Sequence, residues 1–303
     1  DPFDTLAEAD TAANATGDIT YVYKGDGTTT GLTGGFSLLA SQKLLGEPIN
    51  LVVGADTLAT GTPANRPSLS GTVALASGSR VEAVDIAGSA GAAIAGTNTG
   101  GSDVTNVNLS GGAGGVALTG AAAGTFNFTN FAITTTGGTG FLVNSSGAPT
   151  INVGSGSTEN VSATGGPAVD VRNVNGASSL TFDAVSSTNS SGAGINLDSN
   201  GAAPFSAASG SISGAAGNAI DINGGSGNVT YPGTLGNGAG NTADITGRTG
   251  GAISLSGDIN DTNDAGGGIT MSGNTGGSTT FSGTTKTLNT GASAAFSSTG
   301  SAH

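Results

Sequence analysis

The sequence predicts an all-β fold, a single-domain parallel β-helix over residues 1–303 with three short strands to each coil of about 25 residues. Three observations carry that expectation. Pairs of apolar residues flanking one polar residue recur at that interval. Gly, Asn and Ser crowd the stretches between the pairs. Finally, the 35% of residues that are hydrophobic include 44 Ala, which leaves too few large apolar side chains for a broad core but enough for a thin one repeated along an axis.

The first series of pairs is Ala92/Ile94, Val116/Leu118, Phe141/Val143, Val169/Val171, Ile195/Leu197, Ile220/Ile222, Ala243/Ile245, Ile269/Met271 and Ala294/Phe296. A second runs in step with it: Phe126/Phe128, Ile151/Val153, Leu180/Phe182, Phe205, Val229/Tyr231, Ile253/Leu255 and Thr279/Phe281. Single apolar positions form a third: Ile86, Leu109, Ile133, Val161, Val185, Ile212, Leu235, Ile259 and Leu288. Alternation of period two sends the flanking residues inward and the middle one outward, and Gly and Asn between strands supply corners of positive φ. Successive coils are then stacked about 4.8 Å apart.

Residues 84–296 read as regular coils. Earlier, Tyr21–Tyr23, Phe36–Leu39, Leu44–Leu45 and Leu51–Val53 read as one longer coil, and residues 54–68, which include Arg66, as an excursion loop of the kind that often carries function. Residues 4–14 have the pattern of an α-helix, with Asp4 as N-cap, Leu6, Ala9 and Ala13 on one side and Gly17 beyond the end. A solenoid must cover its first apolar layer, so this helix is expected to cap the N-terminal end. No such cap is visible after Ala294/Phe296, which predicts either a piece of a longer solenoid or end-to-end self-association there. His303, the only histidine, reads as a native terminus or as the start of a tag.

The run Pro2 to Gly25, PFDTLAEADTAANATGDITYVYKG, resembles the start of right-handed parallel β-helix proteins of the pectin-lyase-like superfamily: a capping helix, Gly-Asp, then an aromatic strand. Later coils such as Gly247 to Ile259, GRTGGAISLSGDI, resemble the repetitive segments of large bacterial surface and autotransporter-like proteins. The resemblance implies a right-handed coil and an extracellular or cell-surface location in bacteria. Enzymes of this kind act on acidic polysaccharides through carboxylates, bound calcium and a basic residue on one sheet.

Charge narrows the choice of partner. Seven Lys and Arg against twenty Asp and Glu give a net charge of -13, which excludes nucleic acid and anionic membrane as natural partners. No apolar run is long enough to insert in a bilayer, and no secretory leader pattern is present. Without Cys, neither disulfides nor thiolate metal sites support the fold.

The outward column of the first series reads Ala93, Ala117, Leu142, Asp170, Asn196, Asp221, Asp244, Thr270, Ala295, with Arg172, Asp198, Asn223 and Thr246 two residues along. This predicts an acidic patch of Asp170, Asp198, Asp221 and Asp244 around Arg172. The bland reading is a solvated ladder in which Arg172 pairs with Asp170 and Asp198. The sharper ones are a glycan- or calcium-binding surface and, if the chain is an enzyme, a lyase or glycosidase site at Asp170, Arg172, Asp221 and Asp244. The missing internal His, the scattered cations and the absence of Trp count against catalysis. A second oxygen-rich stretch, Asp258, Asn260, Asp261 and Asp264, has donors for Ca²⁺ but lacks the EF-hand Gly and Glu. The outward Thr, Ser and Asn of the second series suggest an ice-binding face or, more blandly, ordinary exposed strand residues. The expected function is a non-catalytic structural or adhesin-type segment of a larger secreted or surface protein, with a glycan or another surface protein as partner and no obligatory cofactor. A polysaccharide-active β-helix and an ice-binding solenoid are the alternatives.

Overall fold

The computed structural model describes residues 3–154, 156–262 and 266–300. The chain winds as a right-handed parallel β-solenoid of about eleven coils behind one short helix. Face one is an eleven-stranded parallel sheet running from Phe36–Ser37 to Phe296–Thr299. A seventeen-stranded sheet wraps the other two faces. Faces two and three are joined because the second and third strands fuse in four coils, as Asp103–Gly112, Thr125–Thr135, Ser179–Thr188 and Phe205–Ala215. In the first two of these the bend is made by one left-handed residue, Asn106 (φ 55) or Asn130 (φ 52). Asn tolerates that conformation better than other residues with a Cβ, so the chain turns without leaving the hydrogen-bonded ladder.

The core is the stacked column that the periodicity requires. Ile195, Ile220 and Ala243 lie one above another and are fully buried. Across the middle coils Phe128, Phe131, Phe141, Phe182 and Phe205 make a run of rings with centroids 5.0 to 6.4 Å apart. Such rings bury the most apolar area per residue, which lets a thin column hold the coils together.

Several registers differ from the sequence pattern by two residues. Ile94, not Ala92, pairs with Val116, and Phe296, not Ala294, pairs with Ile269. The outward column therefore carries Ala95 and Ser297 where Ala93 and Ala295 were expected. Val153 pairs with Leu180, Ser187 with Ile212, and Asp261 with Leu288. Opposite Val185 stands Gly210, where a Cβ would come within 1.9 Å of the Val185 carbonyl oxygen. The buried Tyr231 fills the space over this glycine and donates its hydroxyl to Val185 O at 3.0 Å. Burial raises the pKa of its phenol, which stays protonated.

The helix spans Leu6–Ala12, shorter than the 4–14 pattern, and Thr5 rather than Asp4 caps it. The Thr5 hydroxyl accepts from Glu8 N and the Glu8 carboxylate accepts from Thr5 N, each at 3.2 Å, a capping box that Asp4 cannot form one residue earlier. Leu6 and Ala9 are buried against the first layer. Asp10 accepts from Ser37 N at 2.8 Å, and the Gln42 amide donates to Ala13 O and Ala15 O, so the helix is also tied to the coil by polar contacts.

Leu51–Val53 is not a coil strand. It pairs antiparallel with Asp56–Ala59 in a hairpin that stands apart from both large sheets. The excursion fills the span between strands Lys43–Gly46 and Ser68–Ser70, and so begins before the 54–68 loop read from the sequence. On face one, stacking already joins Phe36–Ser37 to Val73–Ala74, ahead of residue 84, and it reaches Thr299. No helix among the described residues is long and apolar enough to cross a membrane.

Candidate functional site: a carboxylate and amide ladder

On face one the outward residues form one continuous file: Ser37, Ala74, Ala95, Ala117, Leu142, Asp170, Asn196, Asp221, Asp244, Thr270, Ser297. Parallel pairing without a bulge keeps these Cα atoms in vertical register, so identical strand positions become neighbours at coil spacing. Beside the acidic part of this file stand Arg172, Asp198, Asn223 and Thr246, also in register. The structure thus brings Asp170, Arg172, Asp198, Asp221 and Asp244 onto one surface.

Their hydrogen bonds mostly close within the surface. Arg172 grips Asp170 with both ends of its guanidinium, Nε to Oδ1 at 2.7 Å and Nη2 to Oδ2 at 2.9 Å. That grip raises the Arg172 pKa, with further help from Asp198 and Asp221. From the next coil Asn196 adds its amide to the same Asp170 oxygen at 2.7 Å. Asp198 takes its hydrogen bond from the Ser199 hydroxyl at 2.8 Å, not from Arg172, whose fork is already filled by the nearer carboxylate. Asn218 bridges Asp221 (3.2 Å) and Asp244 (3.5 Å), and Asn241 reaches Asp244 at 3.4 Å. Burial and then the charge of Asp244 raise the pKa of Asp221. One Asp244 oxygen, Oδ1, is buried with no partner among the described residues.

The same device recurs elsewhere. Asn127 donates to Asp103 at 2.7 Å and Asn152 to Asn127 at 2.9 Å on face two, and Asn108 donates to Asp85 at 2.8 Å on face three. Each carboxylate accepts an amide from the equivalent position one coil on. Sequence reading passed over these partners, although an Asp followed by Asn some two dozen residues later is a visible signal once the period is known.

The second expected cluster lies partly outside the described residues. Residues Ile259–Thr262 form a strand, and its alternation exposes Asn260 while Asp261 is fully buried. Asp258 accepts from Thr285 N at 2.8 Å. Asp264, like His303, lies outside the described residues. Among the described residues no three carboxylate or imidazole groups converge as metal ligands. The hydroxyl file on face two shifts by two residues where Asn152 stands opposite Ser179, and from Thr181 it runs in register through Ser206, Thr230 and Ser254 to Thr280.

One polar hollow of about 400 Å³ lies at the bend between faces two and three, lined by Glu82, Asn106, Asn108, Asn130, Ser157 and Thr158 among others. Arg66 comes back from the excursion at this bend, donates to the backbone and side-chain oxygens of Asn106 and stands 3.4 Å from Asp85.

By its fold the chain is a right-handed parallel β-solenoid, a class defined by architecture and shared by proteins of many activities. Comparisons with protein-family models, with curated proteins and with solved structures find no match.

Proposed function

We propose that this chain is a non-catalytic rigid spacer, an adhesin-type segment of a larger bacterial secreted or surface protein related in texture to the autotransporter-like β-helices of the pectin-lyase-like superfamily. One observation carries the reading: the outward file from Ser37 to Ser297 runs through eleven strands without a break in register. Ten coil steps at about 4.8 Å make a rod of roughly 48 Å whose stiffness comes from parallel ladders on every side. The acidic patch supports the same reading, since Arg172, Asn196, Asn218 and Asn241 spend their donors on its carboxylates. Groups committed to one another offer a substrate little, and a weakly charged, cysteine-free surface suits an exposed location.

The absence of Cys makes the test direct. Spin labels on Ser37→Cys and Ser297→Cys should give one narrow distance near 48 Å, at ten steps of about 4.8 Å. That distance should not change on adding Ca²⁺, EDTA or polysaccharide. A broad distribution, or a distance that moves with calcium or a glycan, would overturn the spacer reading in favour of a ligand-binding solenoid.

A further inference from the structure

Among the described residues, six of the seven large apolar side chains left exposed fall within residues 3–58: Phe3, Tyr23, Leu39, Val52, Val53 and Leu58. The seventh is Phe296 at the opposite end. Two of these six, Phe3 and Tyr23, stand in the walls of one groove, where exposed apolar surface gathers into a patch. Between the helix and strand Ile19–Val22 lies a groove of about 680 Å³, with Phe3, Leu6, Tyr21, Tyr23 and Leu32 among its walls. Tyr21 and Tyr23 meet edge to face at 5.1 Å, and the Tyr21 hydroxyl is anchored on Ile49 O at 2.8 Å, so this wall is held in place.

The backbone beside the groove specifies the shape of what fits. Ile19–Val22 pairs only with Lys43–Gly46 among the described strands. Lys43 N donates to Asp18 O and Glu47 N to Val22 O, each at 2.9 Å, so the carbonyls of alternate residues face the neighbouring strand. Strand alternation then turns the amide and carbonyl of Ile19 and Tyr21 the other way, to an open edge. An open edge bounded by an apolar groove is what a strand-forming peptide completes. Charge selects further: the two charged residues lining the groove, Asp4 and Asp18, are both acidic.

We propose that this groove docks an extended peptide segment of a partner protein, apolar at alternate positions and carrying Lys or Arg between them, which adds as a strand to the free edge of Ile19–Val22. Its main chain pairs with Ile19 and Tyr21, its apolar side chains lie against Leu6, Tyr21 and Tyr23, and its cations meet Asp4 and Asp18. A helix would leave the edge groups of Ile19 and Tyr21 unmet. The proposal goes beyond the spacer reading and does not depend on it.

The test is to pan a displayed library of randomised nonapeptides against the intact chain and against a Phe3→Ser/Tyr23→Ser double variant, whose substitutions lie on exposed positions and whose fold circular dichroism verifies. Enriched peptides should alternate apolar and basic residues and bind the double variant at least about tenfold more weakly, as expected when aromatic anchors are removed. A selected peptide resynthesised with N-methyl groups on every second residue should lose binding in one of the two possible phases and keep it in the other. Its binding should also slow hydrogen exchange at the Ile19 and Tyr21 amides. No enrichment over the double variant, apolar residues spaced by three and four, or indifference to both methylation phases would overturn the proposal.

Discussion

The corner between faces two and three differs sharply between the first coil and the three that follow it. In the second to fourth coils a single left-handed residue makes it: Ala83 (φ 60), Asn106 or Asn130. In the first coil the same corner carries residues 47–67, with the antiparallel hairpin at its far end. Strands on either side of the insertion keep their register, Lys43 with Arg80 and Ser68 with Asp85. A solenoid coil therefore accepts some twenty extra residues at a corner because the ladders that hold it lie elsewhere. The returning strand is pinned by Arg66, which reaches past the second coil to Asn106 in the third. Ala83, fully buried, makes the corner of the coil between them. Left-handed Ala costs about 1 kcal/mol relative to Gly. In the middle coils, by contrast, Asp170, Asp221 and Asp244 each accept at least one amide donor. Most exposed large apolar side chains gather at the N-terminal end, and open strand edges lie at both ends of the described stack.

Perturbing each region separately tests this contrast. The largest effect belongs to the aromatic run: Phe141→Ala removes a fully buried ring touching three others and should lower unfolding free energy by about 3–5 kcal/mol in denaturant titration. Next comes Arg248, which is 5% exposed and donates to Gly224 O, Gly227 O and Gly250 O at one corner. Arg248→Ala leaves those carbonyls short of donors, at a cost of about 2–3 kcal/mol, and should loosen the adjacent coils in hydrogen exchange. Arg66→Ala should cost about 1 kcal/mol and act locally, speeding exchange over residues 47–67 while the middle coils stay protected. Uniform deprotection along the rod would show that the two regions are not separable.

The smallest effect has the opposite sign. Burial and Asp244 raise the pKa of Asp221, so the folded chain binds that proton more tightly than the unfolded one. Ionised Asp221 is thus a liability at neutral pH, and the liability fades as pH falls through its folded pKa. Asp221→Asn should stabilise the chain at pH 7 by about 0.5 kcal/mol, a modest figure because the site is partly open to solvent. Its advantage over the native chain should vanish as the pH enters the carboxylate range. A gain that persists in acid would place its origin in packing, not charge.

The residue period, the inward and outward parity of each strand, the helix at the start and the grouping of Asp170, Asp221 and Asp244 on one face all follow from the sequence. Alternation is a strict code for which side of a sheet a residue faces, and a slip of one residue would reverse it visibly. A slip of two preserves it. For this reason the sequence pattern cannot distinguish Ala92 from Ile94 opposite Val116, or Ala294 from Phe296 opposite Ile269, and packing chose in both cases. Tyr231 over Gly210 shows how: a long side chain fills the gap left by a residue without one in the adjacent coil and reaches Val185 two coils away. Tertiary structure alone also decided which donor serves which carboxylate, giving Arg172 to Asp170 and leaving Asp198 to Ser199, because distances across coils depend on register. It likewise turned Leu51–Val53, apolar enough for a coil strand, into a projecting hairpin, since an antiparallel partner lay five residues away and the stack was already complete without it.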